Sequence, residues 1–181
     1  LGVIDEEVVA SMSAQLVELR RLGHEVVLVS SGAVSAGVSA LGLAARPVDT
    51  VTLQAIAAAG QGRLMEVWNR HLGTLGAVGA QVLLVPHDFV DRRQYLHARR
   101  TVTRLLELGC VPIVNENDAI ASDGVRYGDN DRIAALVAHN LSAHMLVLLT
   151  DIAGLYTQDP RAVADAELIS VVSSDDPLLA V

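Results

Sequence analysis

The run Val111-Pro112-Ile113-Val114 is continuously apolar and stops abruptly at Asn115-Glu116-Asn117-Asp118; after a short polar loop comes Gly128-Asp129-Asn130-Asp131. Unbroken apolar runs of this length suit strands covered on both faces, the habit of parallel sheets flanked by helices. Amides and carboxylates crowded at the end of such a strand are costly to bury unless something pairs with them. In an open α/β sheet, ligands sit at the carboxyl ends of the strands. This one transition therefore points to both a fold class and a place to look for chemistry.

The rest of the chain alternates in the same way. Ile4, Val8, Met12, Leu16 and Leu19 recur at helical spacing, with Gly23 as a stop. Val26 to Val29 reads as a buried strand, Ser30-Ser31-Gly32 as a turn, and Ala33 to Leu43 as a helix. A long helix is expected from Val51 to Leu72, a strand from Ala80 to Val85, and a helix from Asp91 to Leu108 ending at Gly109. Strand Val111 to Val114, helix Arg132 to Leu141 and an apolar strand Met145 to Leu149 follow, and Leu168 to Val172 reads as a further short strand. Alternation of this kind predicts an α/β chain with a mostly parallel central sheet and right-handed crossovers.

Composition narrows the function. At 181 residues the chain suffices for one sizeable α/β core. A net charge of −8 with scattered arginines argues against a nucleic-acid or anionic-membrane partner. No stretch of about 18 strongly apolar residues suggests a membrane span, and no secretory signal is recognised, so a cytoplasmic location is expected. A single cysteine, Cys110, forbids an internal disulfide and reads as a small buried hydrophobe. All 13 basic residues are arginine. An ammonium point charge cannot come from a side chain of this stretch.

Several segments allow two readings. Ser30-Ser31-Gly32-Ala33, between a strand and a helix, is either an anion site built on free N–H groups or an ordinary serine cap. Gly60-Gln61-Gly62 lacks the third glycine and the preceding strand of a dinucleotide fingerprint, so helix packing is the better reading. No Walker loop, zinc-ligand spacing or Gly-x-Ser-x-Gly elbow is present. Arg92, Arg93, Arg99 and Arg100, near Asp88 and Asp91, read as a solvated, ion-paired helix face. The cluster Asn115, Asn117, Asp118, Asp129, Asn130 and Asp131 holds more acceptors than caps and turns consume, although Asp129 could cap the helix that follows. Asp118 suits an ammonium group, and Asn130 a carboxylate or phosphate. Thr150-Asp151, beyond another apolar run, is a second polar strand end.

Ser30-Ser31-Gly32-Ala33-Val34, Val114-Asn115-Glu116-Asn117-Asp118, Gly128-Asp129-Asn130-Asp131, Leu149-Thr150-Asp151, Gly154-Leu155-Tyr156-Thr157 and Asp159-Pro160-Arg161 occur in this order. Together they resemble the amino-acid kinase family, from about Leu19 to Ile169, and within it the branch that acts on glutamate. The resemblance implies a three-layer α/β/α sandwich that moves the γ-phosphoryl of ATP, with Mg2+, to the side-chain carboxylate of L-glutamate in proline biosynthesis. It implies substrate binding by Ser31, Gly32, Asn115, Asp118 and Asn130, and organising roles for Asp129 and Asp131. Nucleotide contacts are implied at Thr150, Asp151, Tyr156, Asp159 and Pro160, with no protein side chain assigned to the metal. Proline as feedback inhibitor and a homo-oligomer, dimer or tetramer, are further implications.

The lysine-bearing first-strand segment and the later Gly-Gly-Met-x-Thr-Lys-type loop of that family have no match here. Residues 1–181 are accordingly expected to be one partial kinase domain, cut at both ends, without a second domain and without full activity alone. A sibling kinase for another carboxylate, or a non-catalytic glutamate- or proline-binding module, are the alternative readings.

Overall fold

In the computed structural model, residues 4–120 and 130–177 are described. They fall into two compact units, Leu1–Leu146 and Val147–Val181.

The first unit opens with helix α1, Glu6–Arg21, whose start is set by Asp5: its carboxylate accepts the backbone N–H groups of Glu7 and Val8 at 3.0 and 3.1 Å. The stop falls at Gly23, whose φ of +91° is the left-handed conformation that only glycine adopts cheaply. There the N–H groups of Gly23 and His24 bond back to Arg20 and Leu19 in the Schellman pattern. Strand β1 is Leu28–Val29, helix α2 Ala33–Ala40, helix α3 Thr50–Thr74, and strand β2 Val78–Leu84. A 3-10 turn at Pro86–Phe89 leads to helix α4, Arg92–Glu107, then strand β3, Cys110–Glu116, and helix α5, Asn130–Leu141.

The three strands form a parallel sheet in the order β1-β3-β2, with Leu28 opposite Ile113 and Leu83 opposite Asn115. Since successive side chains of a strand point to opposite faces, β3 serves two cores. Val111 and Ile113 pack with Leu16, Leu64, Trp68 and Leu72 beneath α1, α2 and α3. Val114 faces the other way and packs with Leu84, Ile133 and Val137 beneath α4 and α5. Helices thus cover both faces, the three-layer α/β/α arrangement. Full burial of each of these side chains contributes about 1.5–3 kcal/mol. β1 joins β3 in serving both cores, Leu28 in the first and Val29 packed against the second.

Two glycines set how closely α2 and α3 approach. A Cβ at Gly60 would overlap the carbonyl oxygen of Ala33 and the backbone N of Gly37, and one at Gly37 would overlap the carbonyl oxygen of Ile56. This is the packing role expected for the first glycine of Gly60-Gln61-Gly62. At Gly62 a Cβ would meet nothing within 4 Å.

Three expectations need correction. The apolar run Met145 to Leu149 is not a strand: it is without regular structure and its side chains are exposed. A strand exists only through a ladder, and no strand of the described residues pairs with this run. Arg92, Arg93, Arg99 and Arg100 are exposed as expected, but among the described residues none is ion-paired; on α4 only Arg104 is, to Glu107 at 2.8 Å. Their supposed acidic partners are committed to backbone donors: Asp91 caps α4 through the N–H groups of Arg93 and Gln94, and Asp88 accepts from Val85 N. The strand expected from Val26 is shorter, starting at Leu28, because only Leu28 and Val29 find ladder partners on β3.

The second unit contains a two-stranded antiparallel ladder, β4, Leu155–Tyr156, against β5, Leu168–Ile169. Among the described residues no helix is long and apolar enough to cross a membrane.

Candidate active site

The carboxyl end of β3 is buried although it is polar. Asn115 and Glu116 are still strand residues, and only 2% and 4% of their surfaces reach solvent. Asn115 is satisfied on both sides: its Oδ1 accepts the N–H of Glu116 at 2.9 Å and its Nδ2 donates to Gln61 Oε1 at 2.9 Å. Gln61 comes from α3, one residue after the glycine that lets that helix lie against α2. Close helix packing therefore brings an amide to the strand end.

Past Glu116 the chain turns. Asn117 N still donates to Leu84 O at 2.8 Å, which extends the β2–β3 ladder by one bond. A cavity of about 290 Å3 lies at this turn, lined among others by Ala33, Gln61, Gln81, Glu116, Asn117 and Asp118. Asp118 is half-buried, and burial pushes its carboxyl above the usual aspartate range, with the charge of Arg46 acting in the opposite direction. A carboxylate held partly out of water beside amides is suited to a compact cation.

The end of β1 lies next to that of β3. Ser30 N donates to Val114 O at 2.8 Å. Its hydroxyl accepts from Trp68 Nε1 at 3.2 Å and donates to Ser31 O at 3.1 Å, and its carbonyl accepts from Asn130 Nδ2 at 3.4 Å. Ser30 thus joins β1, α3 and the start of α5. The N-cap of α2 is Gly32 at φ +113°, with no side-chain cap bond. The serine-cap reading is therefore replaced by a glycine cap, which offers the first N–H groups of α2 no side-chain acceptor of its own, as an anion site requires. Ser31 is exposed; Asn130 Oδ1 is buried without a hydrogen-bond partner among the described residues; Asp131 is exposed in the first turn of α5. Asp129, with its expected capping role, and Gly128 lie outside the described residues.

Thr150, Asp151, Tyr156, Asp159 and Pro160 belong to the second unit. Thr150 Oγ1 accepts from Ile152 N at 3.4 Å, and Asp151 pairs with Arg161 at 2.7 Å. Asp159 shapes the following turn: its carboxylate accepts Arg161 N and its carbonyl accepts Ala162 N and Val163 N. Tyr156 lies opposite Leu168 in the ladder. Among the described residues no three His, Cys, Asp or Glu side chains converge to hold a metal ion.

Asn117 and Asp118 thus line one cavity, to which α2 contributes Ala33; Asn115 stands behind it, bonded to the lining residue Gln61, and Asn130 reaches the Ser30-Ser31 turn. Gln61, Gln81, Trp68 and Arg46 join the neighbourhood without having been singled out as site residues. One signal for Gln61 was available: Ala57, Leu64, Met65 and Trp68 mark the buried face of α3, and a glutamine on that stripe requires a polar partner.

The amino acid kinase family model matches residues 3–179. A glutamate 5-kinase of Gloeobacter violaceus is 52% identical over 162 residues, covering 90% of this chain and 44% of the relative. One from Pseudomonas putida is 48% identical over 176 residues, covering 97% and 47%. The chain spans less than half the length of these curated relatives. Aspartate kinase from Synechocystis superposes with a TM-score of 0.56 at 15% identity over 91% of this chain and 29% of that one, a likeness of fold. A three-layer fold with a polar cavity at its strand ends and a family match over nearly every residue lead to one conclusion: the chain belongs to the amino acid kinase family.

Proposed function

We propose that the protein is a glutamate 5-kinase, transferring the γ-phosphoryl of ATP to the side-chain carboxylate of L-glutamate in the cytoplasm as the first step of proline biosynthesis. One observation carries the reading beyond the family: a half-buried carboxylate, Asp118, shares a cavity with the amides of Gln61, Gln81 and Asn117. A zwitterion with one ammonium and two carboxylates is complementary to that mixture. Asp118 takes the ammonium group; Ser31, Gly32 and Asn130 take the carboxylates by hydroxyl, backbone and amide donors; Asn115 holds the strand end in shape.

Thr150 and Asp151 contact the nucleotide, with Tyr156, Asp159 and Pro160 near its adenine side, and Asp129 and Asp131 organise the polar surroundings. Magnesium would be carried with the phosphates of the nucleotide, the usual habit of Mg2+ in kinases. Phosphoryl transfer of this kind depends on positioning and charge rather than on covalent help from the protein. The charge on the phosphates is met by groups other than lysines of this stretch, which has none. Proline is a feedback inhibitor, and the assembled protein is a homo-oligomer, a dimer or tetramer.

The test is kinetic and uses the full-length protein. Asp118→Asn removes a charge-assisted bond worth about 1.5–3 kcal/mol, so the KM for glutamate should rise roughly 10- to 100-fold while that for ATP stays within about twofold. Equal effects on both substrates would remove Asp118 from the glutamate site. Stimulation of ATP turnover by a different acid would make the protein a sibling kinase, and binding without turnover a sensor.

A further inference from the structure

We propose that Gln61 is a further substrate-binding residue, one whose amide is locked with its donor end toward the cavity. The inference rests on the glutamate reading above and goes beyond its residues. It follows from the direction of a two-amide chain. The N–H of Glu116 can only donate, so the Asn115 atom that receives it at 2.9 Å is the carbonyl oxygen, Oδ1. The other atom of that amide, Nδ2, must then donate, and the Gln61 atom facing it at 2.9 Å must be the acceptor, Oε1. What remains of Gln61 is Nε2, a two-proton donor with no partner among the described residues, on a side chain that lines the cavity. A backbone group two links away thus sets the polarity of an amide that could otherwise face either way.

The surroundings support the assignment. Gln61 is 8% exposed and sits on the buried stripe of α3, but its Nε2 is not one of the buried unpartnered atoms, so its N–H groups face the cavity, where a ligand acceptor can replace water. The backbone contact at Gly60 fixes the helix beside it. The complementary ligand group is an anion, and in the bound acid that is a carboxylate. Asp118 holds the opposite charge on the same cavity. Gln61 and Asp118 therefore distinguish the two ends of a zwitterion, one offering N–H groups and the other a carboxylate.

The experiment separates this role from mere support of Asn115. In the full-length protein, Gln61→Glu keeps an oxygen for Asn115 Nδ2 but replaces the donor facing the cavity by a second oxygen. The KM for glutamate should rise about tenfold or more, with the KM for ATP within about twofold and the thermal midpoint close to wild type. Because protonation would restore a donor, the ratio of variant to wild-type KM should shrink as pH falls. Gln61→Met, uncharged and of similar length, should also raise the KM for glutamate, and it keeps the test decisive should the glutamate variant fold poorly. A Gln61→Glu protein that folds and shows a glutamate KM within twofold of wild type overturns the inference, as does a Gln61→Met protein with unchanged KM. If wild-type protein shows no glutamate-dependent turnover, the functional reading fails first and this inference falls with it. Glutamate turnover in wild type beside an indifferent Gln61 sinks this inference alone.

Discussion

Substituting alanine at Gly60 and at Gly62 should move stability in opposite directions, although the two positions are separated by one residue of one helix. Alanine in a helix interior is favoured over glycine by about 1 kcal/mol, a gain common to both sites. At Gly62 nothing lies within 4 Å of the added Cβ, so the gain stands. At Gly60 the same atom would overlap Ala33 O and Gly37 N and come within 2.8 Å of Gly37 Cα. These are backbone atoms of a neighbouring helix, and no side-chain rotation clears them. Overpacking typically costs 1–3 kcal/mol, and with rigid contacts about 3 is the appropriate figure, leaving Gly60→Ala destabilised by roughly 2 kcal/mol after the propensity gain. At about 2–4 °C per kcal/mol for a domain of this size, thermal unfolding should shift down by roughly 4–8 °C for Gly60→Ala and up by roughly 2–4 °C for Gly62→Ala. Calorimetry or circular dichroism on the two full-length variants decides the matter. Shifts of the same sign, or a Gly60→Ala protein as stable as wild type, would refute the claim that this glycine sets the α2–α3 distance.

Two more expectations follow from the site. Burial raises the Asp118 carboxyl pKa above its ordinary value of 3.8, so its contribution to stability is full below that value and is lost as pH rises through the raised one. At neutral pH the ligand-free Asp118→Asn protein should therefore be at least as stable as wild type, the difference vanishing in acid; a clear loss of neutral-pH stability in the variant would contradict the burial argument. The KM for glutamate should rise in wild type as pH falls through the same range, and Asp118→Asn should flatten that dependence. Trp68, the single tryptophan of the chain, is 3% exposed and donates to Ser30 Oγ. Trp68→Phe should cost roughly 2 kcal/mol, from the lost hydrogen bond and the missing ring volume, in denaturant titration. A cost below about 0.5 kcal/mol would show that the bond does not hold the Ser30 turn.

Most element positions were legible because they depend on neighbours in sequence. Helical spacing of apolar residues located α1, α3 and α4, and Gly23 ends α1 by the conformation glycine permits. The continuous apolar run before Asn115 marked β3 as a strand covered on both faces, and Val111 and Val114 do face different cores. Met145 to Leu149 failed the same criterion. An apolar run is a necessary mark of a buried strand, but the ladder partner that completes it lies far away in sequence.

The candidate site divides along the same line. Residue type and order alone determined that amides and carboxylates gather where β3 ends, because a polar tetrad directly after a buried apolar run leaves its groups at the rim of the sheet, where they must find partners. Only the tertiary structure decided which way those groups point. Gln61 comes 54 positions before its partner Asn115, and Trp68 is 38 positions from Ser30. Hydrogen-bond direction depends on which donors and acceptors meet, and meetings across such separations are set by how helices pack on the sheet. That packing turns on a contact as small as the missing Cβ of Gly60, which periodicity does not encode.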